Sequence, residues 1–284
     1  METFSNSIHA RSGINSKIRH VVRNRAIDLA TLCSVGTPKQ RSVRCLYLHY
    51  VFDDQRHEFE QKIIALRKLG DFISTGDMVS MIRGDVPVDG KYFHLSFDDG
   101  LDCVGRNAAP ILDAFSIPAI VFVNSGVIEN EDELVRQAWI DATNYKCSVG
   151  LMSWQALADS GLEVGAHTRH HQRLSSISND PVVLAAEISG CKSDIEAQLS
   201  RDCQYFAWPY GTLEDVDRTA IEAVRSAGFD ASFGVYRYGI TPGRTNPFMI
   251  PRHHFEPQWP TRHVAFFARG GMEQFKPLPN WGLE

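Results

Sequence analysis

The ten residues from 91 to 100, KYFHLSFDDG, decide how this chain folds. The segment Lys91–Phe97 predicts a strand, and it ends at two adjacent carboxylates, Asp98 and Asp99. Other strand-like segments also end at polar or turn residues, namely His49, Asn124, His167 and the Pro209–Tyr210–Gly211 turn. Because the carboxyl ends of parallel strands meet at one rim of an α/β barrel, we expect these residues to converge there.

From residue 44 onward, strand-like and helix-like segments alternate along the chain. The predicted strands are 44–49, 91–97, 119–123, 162–166, 204–208 and 231–235. The predicted helices are 58–69, 108–115, 153–160, 181–199 and 216–227. This alternation predicts a parallel sheet covered by helices. Residues 239–260 hold many prolines and glycines and predict a loop.

The bulk properties exclude some classes of function. The 284 residues fit a single α/β barrel, and the net charge of -5 gives no electrostatic reason to expect nucleic-acid binding. None of the six cysteines forms a C-x-x-C pair, so we expect reduced, buried thiols in a reducing compartment. The first residues lack the apolar run of an export signal, so a cytoplasmic location is the expectation.

The chain divides into an N-terminal extension, residues 1–43, and a larger unit, residues 44–284. The extension is polar and basic, with arginines among apolar residues at helical spacing: Ile14, Ile18, Val21, Val22, Leu29 and Leu32. Two interpretations stay open for this helix. It packs on the outside of the larger unit, or its basic face makes a peripheral contact with a membrane surface. The sequence leaves the oligomeric state open.

Two clusters of polar residues carry the chemistry. Asp98 and Asp99 point to opposite faces of a strand, so one can bind a metal while the other handles protons, although Asp-Asp-Gly is also a common turn. His167 and His171 are four residues apart, so they share a face if the chain turns helical after its strand. Two histidines and one aspartate leave coordination positions for water and substrate, which is the arrangement of a catalytic site.

Four segments resemble motifs of the polysaccharide deacetylase family, which is carbohydrate esterase family four and carries the NodB-homology domain. They are HLSFDDG at 94–100, SIPAIVFV at 116–123, GLEVGAHTRHH at 161–171 and YFAWPYG at 205–211. The first matches the family's TFDDG with Ser96 in place of threonine, and the last resembles a branch with F-A-[YW]-P-Y-G. The similarity runs from about residue 44 to 254. It implies a distorted (β/α) barrel with about seven parallel strands.

The resemblance also implies an activity and roles for single residues. The activity is the metal-dependent removal of an N-acetyl group from an amino-sugar-containing substrate, with residues 44–284 as the catalytic domain. Asp98 would be the general base, and Asp99, His167 and His171 would bind a divalent metal, most often Zn²⁺. The backbone N–H of Tyr210 would help to hold the oxyanion.

The sequence departs from the family at two functional positions. Ala207 stands where many members carry an arginine that orients the catalytic aspartate. Arg252, in MIPRHHF, is the candidate to take over that role, and a surface salt bridge is its alternative. There is no clear copy of the late motif that supplies the general acid. His49 is the first candidate for that acid, and the adjacent pair His253 and His254 is the rival.

The substrate is expected to be an intracellular saccharide, a nucleotide-sugar or a lipid-linked glycan, because no export signal is evident. We expect Trp208, Asn124 and His254 to contact it, whereas Trp139 and Trp154 are expected to pack helices. Two alternatives stay open. One is a metal-independent hydrolase of cyclic or ureido amides on the same fold, and the other is a catalytically inactive saccharide-binding protein. The presence of Asp98 and all three ligands argues against both.

Overall fold

The structure of the chain is a computed structural model that describes residues 22, 24–30, 41–145, 149–271 and 273. Its strands are β1 (Ser42–Leu48), β2 (Asp71–Phe72), β3 (Lys91–Phe97), β4 (Ile120–Val123), β5 (Glu163–Ala166), β6 (Tyr205–Ala207), β7 (Ala231–Phe233) and β8 (Arg252–His254). The principal helices are α1 (Arg56–Arg67), α2 (Thr75–Arg83), α3 (Ala109–Ala114), α4 (Glu133–Thr143), α5 (Trp154–Asp159), α6 (Leu174–Ile177), α7 (Pro181–Leu199), α8 (Arg218–Ser226) and α9 (Thr261–Ala268).

The strands form one parallel sheet that curves into a nearly closed barrel. Its order is β7-β6-β5-β4-β3-β1-β8, and β2 pairs with β3 beside this path. A parallel bridge between Phe233 and Ile250 joins β7 to the residues that lead into β8. The sheet therefore almost meets itself, and the predicted barrel of about seven parallel strands is confirmed.

Alternate residues of the strands face two different environments, as the pleat of a strand requires. On β3, Phe93, Leu95 and Phe97 belong to the large apolar cluster beneath the helices. The residues between them face the barrel interior, where the ring of His94 stacks on Phe233 at 5.3 Å and Ser96 contacts Arg252. The interior is therefore apolar at many positions and polar along β3.

Several helices begin where the sequence places a capping side chain. Ser153 accepts a hydrogen bond from the backbone N–H of Ala156 at the start of α5. Asp180 accepts hydrogen bonds from the first turn of α7, and Pro181 occupies the position that needs no N–H donor. These caps fix the ends of helices whose following loops or strands reach the rim.

The loop predicted over residues 239–260 is wrong in part, because this segment contains β8. Arg252 is fully buried in the barrel, and its neighbour His253 is fully buried on the other face. Strand β8 pairs with β1 from Cys45↔Arg252 to Tyr47↔His254. Its sequence, Arg-His-His, has none of the apolar alternation by which strands are recognised, so the closing strand was invisible to that criterion.

The described part of the N-terminal extension, residue 22 and residues 24–30, is helical and contacts the barrel domain. Asp28 pairs with Arg262 at 2.7 Å and with His263 at 2.8 Å, both on α9. Ile27 is buried, whereas Val22 and Leu29 are exposed. Ile14, Ile18, Val21 and Leu32 lie outside the described residues.

Strand β1 begins at Ser42, just before the predicted boundary, and the division into two units stays a prediction. Within the described ranges, no helix has the length and hydropathy needed to cross a membrane.

Candidate metal centre and cleft

A cleft of about 480 Å³ opens at the carboxyl ends of the strands. The predicted site residues that line it are His49, Asp98, Asp99, His167, His171, Trp208, Tyr210 and His254. Arg252 lies in the barrel interior in contact with Asp98. Asn124 is not among the lining residues. The expectation that the strand ends converge on one rim therefore holds for most of the predicted residues.

Three of these residues form a cluster that can hold a metal ion. Asp99 Oδ1 lies 3.5 Å from His167 Nε2 and 3.6 Å from His171 Nε2. All three ligand atoms lie within 4.8 Å of one another, and all three residues are buried. Asp99 Oδ1 accepts no hydrogen bond from any described residue, although it is buried. A cation bound there would satisfy this oxygen, so the donor set fits a divalent metal.

The ring of His167 is oriented for binding a cation. Its Nδ1 lies 2.8 Å from the carbonyl oxygen of Ala207. Because a carbonyl can only accept, Nδ1 carries a hydrogen and donates it, and Nε2 is the nitrogen that faces Asp99. Burial lowers the pKa of His171 to about 4, so the imidazole of His171 is neutral near pH 7.

The chain between the two histidines is not helical, which corrects the expectation that helical spacing places them on one face. Thr168 and His171 both have left-handed backbones, with φ of 62° and 59°. The Oγ1 of Thr168 accepts a hydrogen bond from the backbone N–H of Gln172 at 3.1 Å. An irregular turn, fixed at both ends, therefore brings the two imidazoles together.

Asp98 is held by Arg252 through two hydrogen bonds. Arg252 Nη1 donates to Oδ1 at 2.7 Å, and Nη2 donates to Oδ2 at 2.9 Å. The guanidinium also donates from Nε to Gly234 O at 3.0 Å and contacts Ser96 Oγ at 3.1 Å. Burial acts to raise the pKa of Asp98, but the charge and hydrogen bonds of Arg252 hold that pKa below its usual range. The alternative of a surface salt bridge is excluded, because Arg252 is fully buried.

The candidate acids separate clearly in the structure. His49 and His254 both line the cleft, with ring centroids 5.4 Å apart. His253 is fully buried, and its ring centroid lies 6.3 Å from that of Phe267 on α9. Successive residues of a strand face opposite ways, so only one member of the His253–His254 pair can face the cleft. His49 and His254 are the two histidines that stay candidates for the acid.

The structure does not bring Asn124 to the substrate side of the cleft. Its side chain is buried and donates to the carbonyl oxygens of His167 and Thr168, at 2.5 Å and 3.2 Å. Its Oδ1 accepts from Trp139 Nε1 at 2.9 Å. These bonds engage both donor hydrogens and one lone pair of the amide inside the protein, and the substrate contact of Asn124 stays a prediction. Asn124 joins the end of β4 to the end of β5.

Trp208 lines the cleft but is only 1% exposed. Its Nε1 donates to Ser232 Oγ at 3.0 Å. The indole therefore forms part of the cleft base rather than an open face on which a sugar can stack.

Tyr145 is a residue of the cleft wall that the sequence interpretation missed. Its Oη lies 2.5 Å from Asp99 Oδ2. Nearby, Tyr210 Oη donates to the carbonyl oxygen of Ala142 at 2.9 Å. Tyr145 follows Asp99 by 46 positions and belongs to no motif, so the sequence contains no local signal of this contact.

The fold is an α/β barrel with a cluster of buried imidazoles and carboxylates in a cleft at its rim, as in metal-binding barrel enzymes. The family model described as polysaccharide deacetylase matches residues 85–232, just over half of the chain. The chain therefore belongs to the polysaccharide deacetylase family.

Individual relatives are more distant. The poly-beta-1,6-N-acetyl-D-glucosamine N-deacetylase of Staphylococcus aureus (strain MRSA252) is 23% identical over 164 residues, which are 56% of this chain and 52% of that protein. The chain thus spans about half the length of the curated relatives it matches. IcaB from Ammonifex degensii superposes with a TM-score of 0.67 at 25% identity, covering 81% of this chain and 97% of that one. The Streptococcus pyogenes deacetylase PplD, in complex with acetate, superposes with a TM-score of 0.64 at 15% identity, covering 82% of this chain and 99% of that one. At this level of identity the similarity supports the fold alone.

Proposed function

We propose that the protein is a metal-dependent hydrolase that removes an N-acetyl group from an amino-sugar-containing saccharide. The observation that carries this proposal is the position of Asp98, which Arg252 holds by two hydrogen bonds beside the Asp99, His167 and His171 cluster. Family membership supports the reaction class. The amino-sugar substrate is supported by the name of the Staphylococcus aureus relative, a poly-N-acetylglucosamine N-deacetylase.

Asp99, His167 and His171 would hold the metal, and two imidazoles with one carboxylate are a donor set that suits Zn²⁺. A divalent metal in such a site polarises an amide carbonyl and acidifies bound water. The remaining work falls to residues of the chain. They orient the amide, accept a proton from the attacking water, hold the developing oxyanion and protonate the leaving amine.

Asp98 is the proposed general base. Its lowered pKa keeps it ionised near neutral pH, so it can accept the proton of a water molecule. Arg252 fixes the carboxylate in one orientation through both oxygens, which a rigid guanidinium fork does well. This contact supports the assignment of the chain to the branch in which a later arginine compensates for Ala207, and that assignment stays a prediction.

Two further roles complete the proposed reaction. The backbone N–H of Tyr210 is the proposed donor to the oxyanion. The ring of Tyr210 packs against His171, with ring centroids 4.9 Å apart, and against the guanidinium of Arg173, whose Cζ lies 4.2 Å from the ring centroid. His49 is the proposed acid for the leaving amine, with His254 as its rival, because both imidazoles line the cleft. Asp98 is held by Arg252, and three residues can bind the metal. This combination favours metal-dependent hydrolysis over a metal-independent amide hydrolase and over an inactive saccharide-binding protein.

The test is acetate release from a panel of N-acetylated substrates. The panel contains oligosaccharides of N-acetylglucosamine, the sugar named for the Staphylococcus aureus relative, together with sugar nucleotides and lipid-linked glycans, the classes expected from the sequence. Activity on at least one amino sugar, lost with chelator and restored by Zn²⁺, is expected. Activity that survives complete metal removal would falsify metal dependence, and release of acetate only from non-sugar amides would contradict the substrate class.

A further inference from the structure

Tyr145 gives the two oxygens of Asp99 different surroundings. A phenol is a far weaker acid than a carboxylic acid, so Tyr145 Oη donates its hydrogen to Asp99 Oδ2, across 2.5 Å. The other oxygen, Oδ1, faces the Nε2 atoms of His167 and His171 at 3.5 Å and 3.6 Å. No described residue donates a hydrogen bond to Oδ1. One oxygen is thus engaged by the protein and the other is directed at the cluster.

The wall that carries Tyr145 is fixed at several points. Helix α4 ends at Thr143, and Asn144 follows with a left-handed backbone, φ 58°, which redirects the chain. The ring of Tyr145 packs on Trp139, with centroids 5.6 Å apart. Trp139 Nε1 is itself bonded to Asn124, whose amide group holds the carbonyl of His167. The phenol is therefore held in place before any metal binds.

We propose that Tyr145 is a positioning residue that makes Asp99 bind the metal through one oxygen only. A carboxylate can bind a cation through one or both oxygens. Binding through both would occupy a coordination position that a catalytic site leaves for water and substrate. By engaging Oδ2, Tyr145 keeps that position open and directs Oδ1 to the cation. This inference rests on the proposed metal site and assigns to Tyr145 a role in its geometry.

The experiment titrates Co²⁺ into the full chain after chelator treatment, for the wild type, Tyr145→Phe and Tyr92→Phe. Tyr92 is a matched control, because its hydroxyl donates to the carboxylate of Asp89 on the exposed surface outside the cleft. Each protein is measured for Co²⁺ affinity by competition with a chelator and for visible absorption. A higher coordination number weakens the visible absorption of Co²⁺, so this spectrum reports on the binding mode of Asp99.

We expect Tyr145→Phe to lose about 10–100-fold in affinity, the effect usual for removing a partner of a metal ligand. Its bound Co²⁺ should also absorb more weakly, while Tyr92→Phe matches the wild type. Equal affinity and an equal spectrum in Tyr145→Phe would overturn the role of Tyr145 and leave the metal site standing. Failure of the wild type to bind Co²⁺ would overturn the proposed function itself, and this role with it.

A second measurement separates geometry from loss of fold. The melting temperature of each protein is taken in chelator and again with saturating Zn²⁺, since a ligand of the folded state raises it according to affinity. A smaller metal-induced rise in Tyr145→Phe supports the proposal. A lower melting temperature in chelator with an unchanged metal-induced rise would make Tyr145 a merely structural residue and overturn the proposal.

Discussion

At the scale of single residues, the ion pair of Asp98 and Arg252 is the most informative contact. Both side chains are buried, with exposures of 4% and 0%. Removing either partner of a buried pair leaves an uncompensated charge, which costs about 3–5 kcal/mol. Variants of this pair therefore change stability as well as rate, and their activities have to be compared at temperatures where each protein stays folded.

Asp98→Asn should keep the metal and lose activity. The amide fills the same volume beside Arg252 but cannot accept a proton from water. We expect acetate release to fall by about 10²–10⁴-fold, the usual contribution of a general base. Elemental analysis of the purified variant checks the metal content, and a chelator-treated sample is the control. Activity within about threefold of the wild type would show that Asp98 is not the base.

Arg252→Ala should slow the reaction and move the acid limb of its pH profile upward. The guanidinium lowers the pKa of Asp98, whereas burial raises it, so removing the charge lets that pKa rise. Asp98 would then be protonated at a higher pH and lose its function as a base. Arg252→Lys should restore only part of the rate, because an ammonium cannot donate through the same planar fork. An unchanged acid limb in Arg252→Ala contradicts this coupling.

At the scale of elements, the sequence predicts those strands and helices that show a clear apolar periodicity or a capping residue. Strand β3 and helix α7 have the predicted bounds, since β3 ends at Phe97 and α7 begins with Pro181 after an Asp cap. Helix α2 was missed although Ser74 caps it and Gly84 ends it with φ 86°. Strand β8 was missed for a different reason. Its two fully buried residues are Arg252, whose partners Ser96 and Asp98 lie far along the chain, and His253, whose ring lies against Phe267 of α9.

The same distinction applies to the site. The proposed ligands Asp99, His167 and His171 can be recognised in the sequence because each lies in a short motif. The contacts of Tyr145 and Asn124 cannot, because each joins residues more than 40 positions apart. Long-range contacts of single polar atoms leave no trace in a periodic pattern.

Asn124→Ala tests the connection between α4 and the ends of β4 and β5. The substitution removes the partners of two carbonyl oxygens and of the Trp139 indole N–H. Each buried polar group left without a partner costs about 1–3 kcal/mol, so a loss of at least ~1 kcal/mol in the free energy of unfolding is expected. Urea unfolding measures it. Ser178→Ala, which removes a part-buried hydroxyl directly after the end of α6, serves as a control with little expected loss. A loss no larger than that of the control would contradict the structural role.

At the scale of the whole molecule, buried histidines should make stability depend on pH. Burial lowers the pKa of His94 and of His253 to about 3 in the folded state, against about 6.5 in an unfolded chain. Below pH ~6.5 the unfolded chain therefore binds protons that the folded chain excludes. The free energy of unfolding should fall as the pH drops from about 6.5 toward 3, by about 2 kcal/mol per histidine at pH 5.

Urea unfolding of the chelator-treated protein at about pH 7 and pH 5 measures this effect. His94→Gln is the informative variant, because glutamine can keep a hydrogen bond to Thr75, which lies 3.1 Å from His94 Nε2. The difference in stability between the two pH values should shrink in His94→Gln. A difference equal to that of the wild type would show that His94 is not excluded from protonation by the fold.

The left-handed backbones at the rim set a limit on how this protein can become more heat resistant. Asp99, Thr168, His171 and Tyr210 have φ between 59° and 72°, a conformation that costs a non-glycine residue about 1–3 kcal/mol. In the absence of metal, His171→Gly should therefore melt higher than His171→Ala, which loses the same imidazole but keeps the Cβ. Laboratory evolution for thermal tolerance alone would drift toward glycine at these positions and discard the proposed ligands. Variants that retain the proposed activity therefore have to gain thermal stability through substitutions elsewhere in the barrel.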